Sequence, residues 1–489
     1  MSSHLPVLIV LIPFFAAIAM PMIGLRRQAA CRPVALTALS GMSIVSLLTY
    51  GHVLQSGPIH YALSGWDPPL GIEWVIDGLS GIMLVTLSLI SVIVLLYAGP
   101  ITPRDLGRRI VPWYTMVLML MASLAGMVLA ADLFNLFVFL EVASLCSYAL
   151  IGAAGGHALL AAFRYLIIGT IGASLYLLGV AYIYAATGTL NIADIAQRLP
   201  ALLESRTVIA GLIFILIGLS IKMALVPLHG WLPDAYRDAP DAVTPLIASL
   251  VTKVALFAII RIIYGMLGAE MATHQLPILL FTGWAGAFAM VIGAFLALSQ
   301  QEIKPIFAYA GISHLGLVMM GIAMGNATGF AGGVFYLINE MVMQATLFCI
   351  AGAAFYRGGV RSLSDLARLR GQVPWTLTAL IVTALSMIGI PPTGGFFGKW
   401  YILLGALKAE NYIAVIAIVV GTLLTMGYFL KLIQPLLLEG DPPPKRTEVE
   451  APFTMRFAMG VLAATTIALG IWSDRMVTIL RETAIPVGL

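Results

Sequence analysis

The sequence predicts an all-α polytopic membrane protein of about fourteen transmembrane helices, forming a single transmembrane domain over residues 1–489. Three observations carry that reading. Of the 489 residues, 61% are hydrophobic and 10% are charged, with a mean hydropathy of +1.01; soluble domains carry about a quarter charged residues. Apolar windows long enough to cross a hydrocarbon core of about 30 Å recur along the whole chain. Basic residues gather in alternate loops, as the positive-inside rule requires.

The windows fall near 5–24, 33–55, 78–99, 112–130, 133–152, 159–186, 207–226, 241–265, 276–299, 303–323, 328–356, 374–405, 411–437 and 454–473. One set of loops holds Arg26, Arg27, Arg32, Arg104, Arg108, Arg109, Arg164, Arg237, Arg357, Arg361, Arg368, Arg370, Lys445 and Arg446. The other set, with the C-terminal tail, holds only Arg198, Arg206, Lys408, Arg475 and Arg481. Both termini are therefore expected on the outer side of a cell inner or plasma membrane. No basic residue precedes the first apolar stretch and RRQAACR follows it, so it reads as a first span, not a cleaved signal. The connectors YRGGVRSLSDLARLRG and LEGDPPPKRTEVEAP read as docking surfaces too short for a soluble domain.

Several function classes drop out. The net charge of +4 is small and dispersed, which argues against nucleic acid. Cys31, Cys146 and Cys349 stand far apart with no CxxC spacing, so no disulfide framework, zinc site or iron–sulfur cluster is expected. GGFFGKW lacks the first glycine spacing of a phosphate loop and the Ser/Thr after its lysine. No cofactor, metal or catalytic residue is expected.

The residues that do not fit are the charges inside the spans. Glu141 is the only formal charge between Asp132 and His157. It lies about 12 Å into that uncharged stretch at 1.5 Å per residue. An acid at mid-helix costs about 2.5 to 3.5 kcal/mol on insertion scales, so something must offset it. Lys222 and Lys399 stand equally alone, and Lys253 shares a span with Arg261, eight residues on. Glu340, His314 and Lys304 occupy the eleventh and tenth spans. Intramembrane ionisable groups face the bundle interior, pair with one another and mark ion pathways. Lys304 and Lys431, near helix ends, also suit snorkelling to the interface, and His229 and His314 also suit satisfied core positions.

Two of these lysines flank breaks. Lys222 is followed by VPLHGWLPDAYRDAPDAV and Lys399 is preceded by IGIPPTGGFFG. Prolines cannot continue the helical ladder, and irregular backbone at membrane depth is tolerated only inside protein or along a wet cavity. Paired interruptions in two halves point to an inverted-repeat transporter. The expected repeats are 112–265, carrying Glu141 and Lys222, and 276–437, carrying Lys304 and Lys399.

FNLFVFLEVASLCSYALI, IKMALVPLHGWLPDAYRDAPDAVTPLIASLVTKVALFAIIR, EIKPIFAYAGISHLGLVMMG and IPPTGGFFGKW together resemble the antiporter-like, proton-conducting membrane subunits. These include the D-type component of Mrp sodium/proton antiporters and the large membrane subunits of respiratory complex I and membrane-bound hydrogenases. The stretch APDAVTPLIASLVTKVALFAIIR and the length are most similar to the Mrp D type. The resemblance implies fourteen helices with two inverted five-helix repeats, each holding a broken helix. It further implies that Glu141 pairs with Lys222, that Lys253 passes protons along the midplane, and that Lys399 serves the exit side. Ser144 and Tyr148 share the Glu141 face as supports.

One segment departs from the family. Its eleventh helix commonly carries a motif like HxxxHxxxK, whereas YLINEMVMQATLF offers Tyr336, Glu340 and Gln344 on one face. The central relay is then expected to run through Glu340, His314 and water, or to be weakened. The chemistry is electrostatic. Two charges 4 Å apart interact by about 4 kcal/mol at an effective dielectric of 20, equal to roughly three pKa units and enough to gate a transfer. The expected function is proton translocation in a multisubunit cation/proton antiporter, with other membrane subunits, protons and Na+ as partners. The alternatives are a pumping subunit of a complex I-like oxidoreductase or hydrogenase and a self-contained solute transporter.

Overall fold

The computed structural model describes residues 4–437, 450–486 and 489; Lys445, Arg446 and most of the LEGDPPPKRTEVEAP connector lie outside them. Among the described residues, 13 helices are long and apolar enough to cross a membrane. A further crossing is made in two pieces, Pro374–Ile388 and Gly394–Lys408. Spans are counted below in chain order, with this divided one as the twelfth.

Burial sorts the spans. The eighth (Thr244–Gln275), tenth (Ile303–Ile322) and eleventh (Ala327–Gly358) are 94–100% buried and form the axis of the bundle. The first (Leu5–Arg26), sixth (His157–Thr187) and thirteenth (Tyr412–Leu437) are only 33–39% buried and face outward. A helix apolar all round belongs at a centre or in lipid. What distinguishes the axis is that it also carries Lys253, His314 and Glu340.

The seventh span stops short of the expected 226. Arg206–Met223 ends because Ala224 takes a left-handed conformation (φ 62°, ψ 44°), and Pro227 has no amide to continue the ladder. A short helix, Leu232–Asp238, follows. The Trp231 indole donates to the Ile221 carbonyl at 2.9 Å, satisfying a group that the break releases. In the twelfth span, Gly389 (φ 90°) ends the first half, and Pro391 and Pro392 separate it from the second. The eighth span runs past the expected 265 to Gln275. It contains π-helical stretches at Ile247–Val251, Arg261–Leu267 and Met271–Gln275, of the kind that concentrates at functional sites.

Two local arrangements recur five spans apart. Before the fifth span (Leu133–Gly152), Leu133 N–H bonds Leu190 O at 3.0 Å and Ile192 N–H bonds Ala131 O at 2.9 Å. Before the tenth, Ile303 N–H bonds Arg361 O and Leu363 N–H bonds Gln301 O, both at 2.9 Å. Elements an odd number of crossings apart run in opposite directions.

At the end of the bundle away from the arginine-rich loops, β1 (Ile59–Ala62) and β2 (Glu73–Ile76) pair antiparallel. Glu73 there bridges His60 at 2.7 Å and Asn191 at 2.8 Å. Asp77 caps the third span (Gly78–Ala98) through a capping box with Ser80 and takes a two-pronged ion pair from Arg261 at 2.5 and 2.7 Å. Arg261 thus ties the middle of the eighth span to the start of the third.

The fourteenth span (Phe453–Ile471) seats on the second break through Gly470, where a Cβ would overlap the Pro392 carbonyl. Gly470→Ala is expected to destabilise the protein by about 1–3 kcal/mol by overpacking against backbone. Thermal unfolding in detergent tests this; an unchanged midpoint would mean that the break yields at no cost.

Candidate functional site: a buried chain of lysines and carboxylates

Lys222 occupies the last turn of the first half of the seventh span, where a cation suits the helix dipole. Its residue is 4% exposed. The ammonium donates to Ser144 Oγ at 2.7 Å and to Glu141 Oε1 at 3.3 Å, with Tyr148 OH at 3.5 Å. Glu141, Ser144 and Tyr148 recur at helical spacing, which is why one lysine reaches all three. The offset to the Glu141 insertion cost is therefore an ion pair. Glu141 is not interior, however: its side chain is 28% exposed, on the rim of the bundle. An aromatic ladder fixes the geometry. Tyr148 meets Tyr165 edge to face, Tyr165 stacks on Trp231 at 3.8 Å, and Trp231 ties back to the break.

Lys253 is fully buried on the eighth span. Its ammonium reaches five residues back to Ala248 O at 2.7 Å, within the first π-helical stretch. On its other side Glu340 Oε1 lies at 3.9 Å. Glu340 is completely buried, with the Gln344 amide, itself turned to Phe307 O, as the donor beside its carboxylate. Its charge is felt by both Lys253 and Lys399. Lys399 donates to Met387 O at 2.8 Å, Ile388 O at 3.1 Å and Thr422 Oγ1 at 3.2 Å, so it covers the carbonyls that the second break releases.

The eleventh-span trio does not act on one partner. Tyr336 bonds His314 Nδ1 and stacks flat on its ring, while His314 Nε2 faces Tyr428 OH at 3.4 Å. Gln344 Nε2 donates to Phe307 O at 3.3 Å. His314 is thus ringed by tyrosine hydroxyls, with Glu340 one turn from Tyr336 along the same face. Lys304 sits at the arginine-rich end, 2.5 Å from Asp241 and 2.9 Å from Ala239 O. His229 lies in the first break, edge-on to Tyr309. Lys431 caps the ninth span (Ile278–Ser299) through Leu298 O and Gln300 O.

Sequence reasoning missed Asp241, Arg261's partner Asp77, Thr422 and Tyr428. Asp241 stood in the APDAV motif beside the first break. The others carried no signal, because their partners come from distant spans.

A polytopic bundle with two interrupted spans and a buried lysine at each break is the architecture of an ion-translocating membrane subunit. The transmembrane family described as NADH:quinone oxidoreductase/Mrp antiporter matches residues 130–425, which include both breaks and every residue of the buried chain. The NADH-quinone oxidoreductase N-type subunit of Desulforudis audaxviator is 39% identical across 99% of both chains. The D-type subunit of the Na+/H+ antiporter of Alkalihalophilus pseudofirmus is 32% identical over 96% of this chain and 94% of its own. Among solved structures, the Mrp complex from Dietzia sp. superposes with a TM-score of 0.89 at 26% identity, covering 98% of this chain and 96% of that one. An archaeal membrane-bound sulfane sulfur reductase gives 0.92 at 25%, covering 98% and 97%. The chain belongs to the NADH:quinone oxidoreductase/Mrp antiporter transmembrane family.

Proposed function

We propose that this chain is the proton-translocating, D-type subunit of a multisubunit cation/proton antiporter in the cell membrane, with both termini on the outer side. Other membrane subunits are its partners. The observation that carries the reading is the series of charges spanning both breaks, buried except for Glu141 on the rim: Glu141 with Lys222, Lys253 with Glu340, and Lys399 on the freed carbonyls. The recurring backbone bonds and the two breaks support two inverted units, 112–265 and 276–437.

Each step is a change of pairing. When Glu141 draws away from Lys222, the ammonium loses its counter-charge and releases a proton inward. Lys253 and Lys399 share the charge of Glu340, so loading one favours unloading the other. Lys399 passes its proton outward where the second break interrupts the helix. Burial and a neighbouring carboxylate pull a lysine's proton affinity in opposite directions, so small movements decide which wins.

Lys222→Ala and Lys399→Ala are each expected to abolish ion-coupled proton transfer in vesicles while the protein still inserts and assembles. Near-normal transport by either variant removes that residue from the pathway. The 39% identity to an N-type oxidoreductase subunit favours a second reading, a pumping subunit of a complex I-like oxidoreductase. Isolation of the native complex decides: small antiporter-type membrane partners support the first reading, and iron–sulfur or flavin subunits the second.

A further inference from the structure

A cavity of about 600 Å³ opens at the arginine-rich end of the bundle, between the first break, the start of the tenth span and the end of the eleventh. Asp105, Asp238, Asp241 and Glu302 line it. Of its cations, Arg237 is held by Asp234 and Asp238, and Arg361 lies over the Phe355 ring. Lys304 is committed to Asp241, with Oδ1 at 2.5 Å, Ala239 O at 2.9 Å and Thr244 Oγ1 at 3.4 Å. The Asp105 carboxyl faces the Asp241 amide and carboxyl; burial, and then the Asp241 charge, raise it above the ordinary carboxylate range.

Behind this floor the polar groups continue inward. The Tyr97 hydroxyl is fully buried and has no hydrogen-bond partner among the described residues. It sits beside Asp241, since a methyl group on Gly352 would touch both. Thr244 and Ser249 follow along the eighth span, both buried. Lys253 lies about 14 Å from Thr244 along that helix at 1.5 Å per residue, and its side chain reaches back toward this end.

We propose that the cavity is where the chain takes up protons from the arginine-rich side, with Asp105 as the loading carboxyl and the Asp241–Lys304 pair as the gate behind it. This rests on the reading that the buried lysine chain carries protons. Asp105 takes a proton from hydronium and releases water. The proton moves to the Asp241 carboxylate, which, once neutral, lets go of the Lys304 ammonium. It then leaves inward past the Tyr97 and Thr244 hydroxyls, and the restored carboxylate recaptures Lys304. No other bond changes.

The test uses the assembled complex in sealed vesicles, with proton uptake from the arginine-rich side followed across pH. Asp105→Asn is expected to slow uptake at least about tenfold, as loss of a positioned acid–base group does, and Asp105→Glu to restore it. The Arg104 and Lys304 charges both work against burial by lowering the proton affinity of Asp105, so Lys304→Met should let that carboxyl keep its proton to higher pH and move the transport optimum up. Loss of a merely structural contact would lower the rate equally at every pH. Should Asp105→Asn fail to assemble, the Lys304→Met profile decides. Lys222→Ala is the reference. If it is inactive while Asp105→Asn and Lys304→Met keep wild-type rates and pH profiles, the intake proposal is overturned on its own; if Lys222→Ala is fully active, the proton-chain reading falls first.

Discussion

Replacing Glu141 by Gln is expected to collapse transport while folding survives. Glutamine keeps the shape and can still accept from Lys222, now 3.3 Å from the carboxylate, but it supplies no counter-charge. Ser144 at 2.7 Å would hold the ammonium in place, so the lysine should keep its position and lose its control. The partial exposure of Glu141 matters here. A carboxylate on the rim can be drawn away by a neighbouring charge, whereas one sealed in the interior cannot. Glu141→Asp should retain part of the activity if its shorter arm still reaches Lys222. The double change Glu141→Gln with Lys222→Gln should be no worse than either single change, because both act through one coupled step. Proton transport in vesicles reads all four variants, and wild-type transport by Glu141→Gln would overturn the account.

The spans and the lone charges were legible because hydropathy and isolation are local properties of a sequence. Glu141, Ser144 and Tyr148 could be placed on one face by spacing alone, while the choice of Lys222 over the equally isolated Lys399 as their partner came from the family resemblance. What stayed hidden depends on distant spans or on backbone detail. The π-helical stretch that lets Lys253 reach the Ala248 carbonyl has no signature in LIASLVTK. The Arg261–Asp77 pair joins residues on the eighth and third spans, and no periodicity links them. Nor does spacing reveal that the Tyr336 hydroxyl bonds the His314 ring, because the two stand on different spans. The end of the seventh span was misplaced because Ala224, Leu225 and Val226 are as apolar as the helix they follow; only backbone conformation separates them.

On the proposed chain, Glu340→Gln is expected to slow transport at least about tenfold, as loss of a proton-carrying group does. The reason lies in what surrounds it. A buried carboxylate normally gathers several hydrogen-bond donors, yet the donor beside Glu340 is the Gln344 amide, shared with Phe307 O, and the nearest cation, Lys253, stands at 3.9 Å. That distance is too long for a hydrogen bond and short enough for strong electrostatic coupling at low dielectric. A group held for stability alone would close the gap, because an unsatisfied buried charge is costly. A group that must bind and release a proton between two lysines, Lys253 and Lys399, is better served by loose contacts. Glutamine in its place leaves both ammonium groups without the charge they share, so the central transfer slows while the flanking pairs remain. Glu340→His should retain part of the activity, because an imidazole can carry the proton at the same position. The coupling is checked by Glu340→Gln with Lys253→Gln, whose combined effect should fall short of the sum of the two. Normal transport by both Glu340→Gln and Glu340→Ala between pH 6 and 9 would reduce Glu340 to a structural residue and leave the two halves of the chain without a central link.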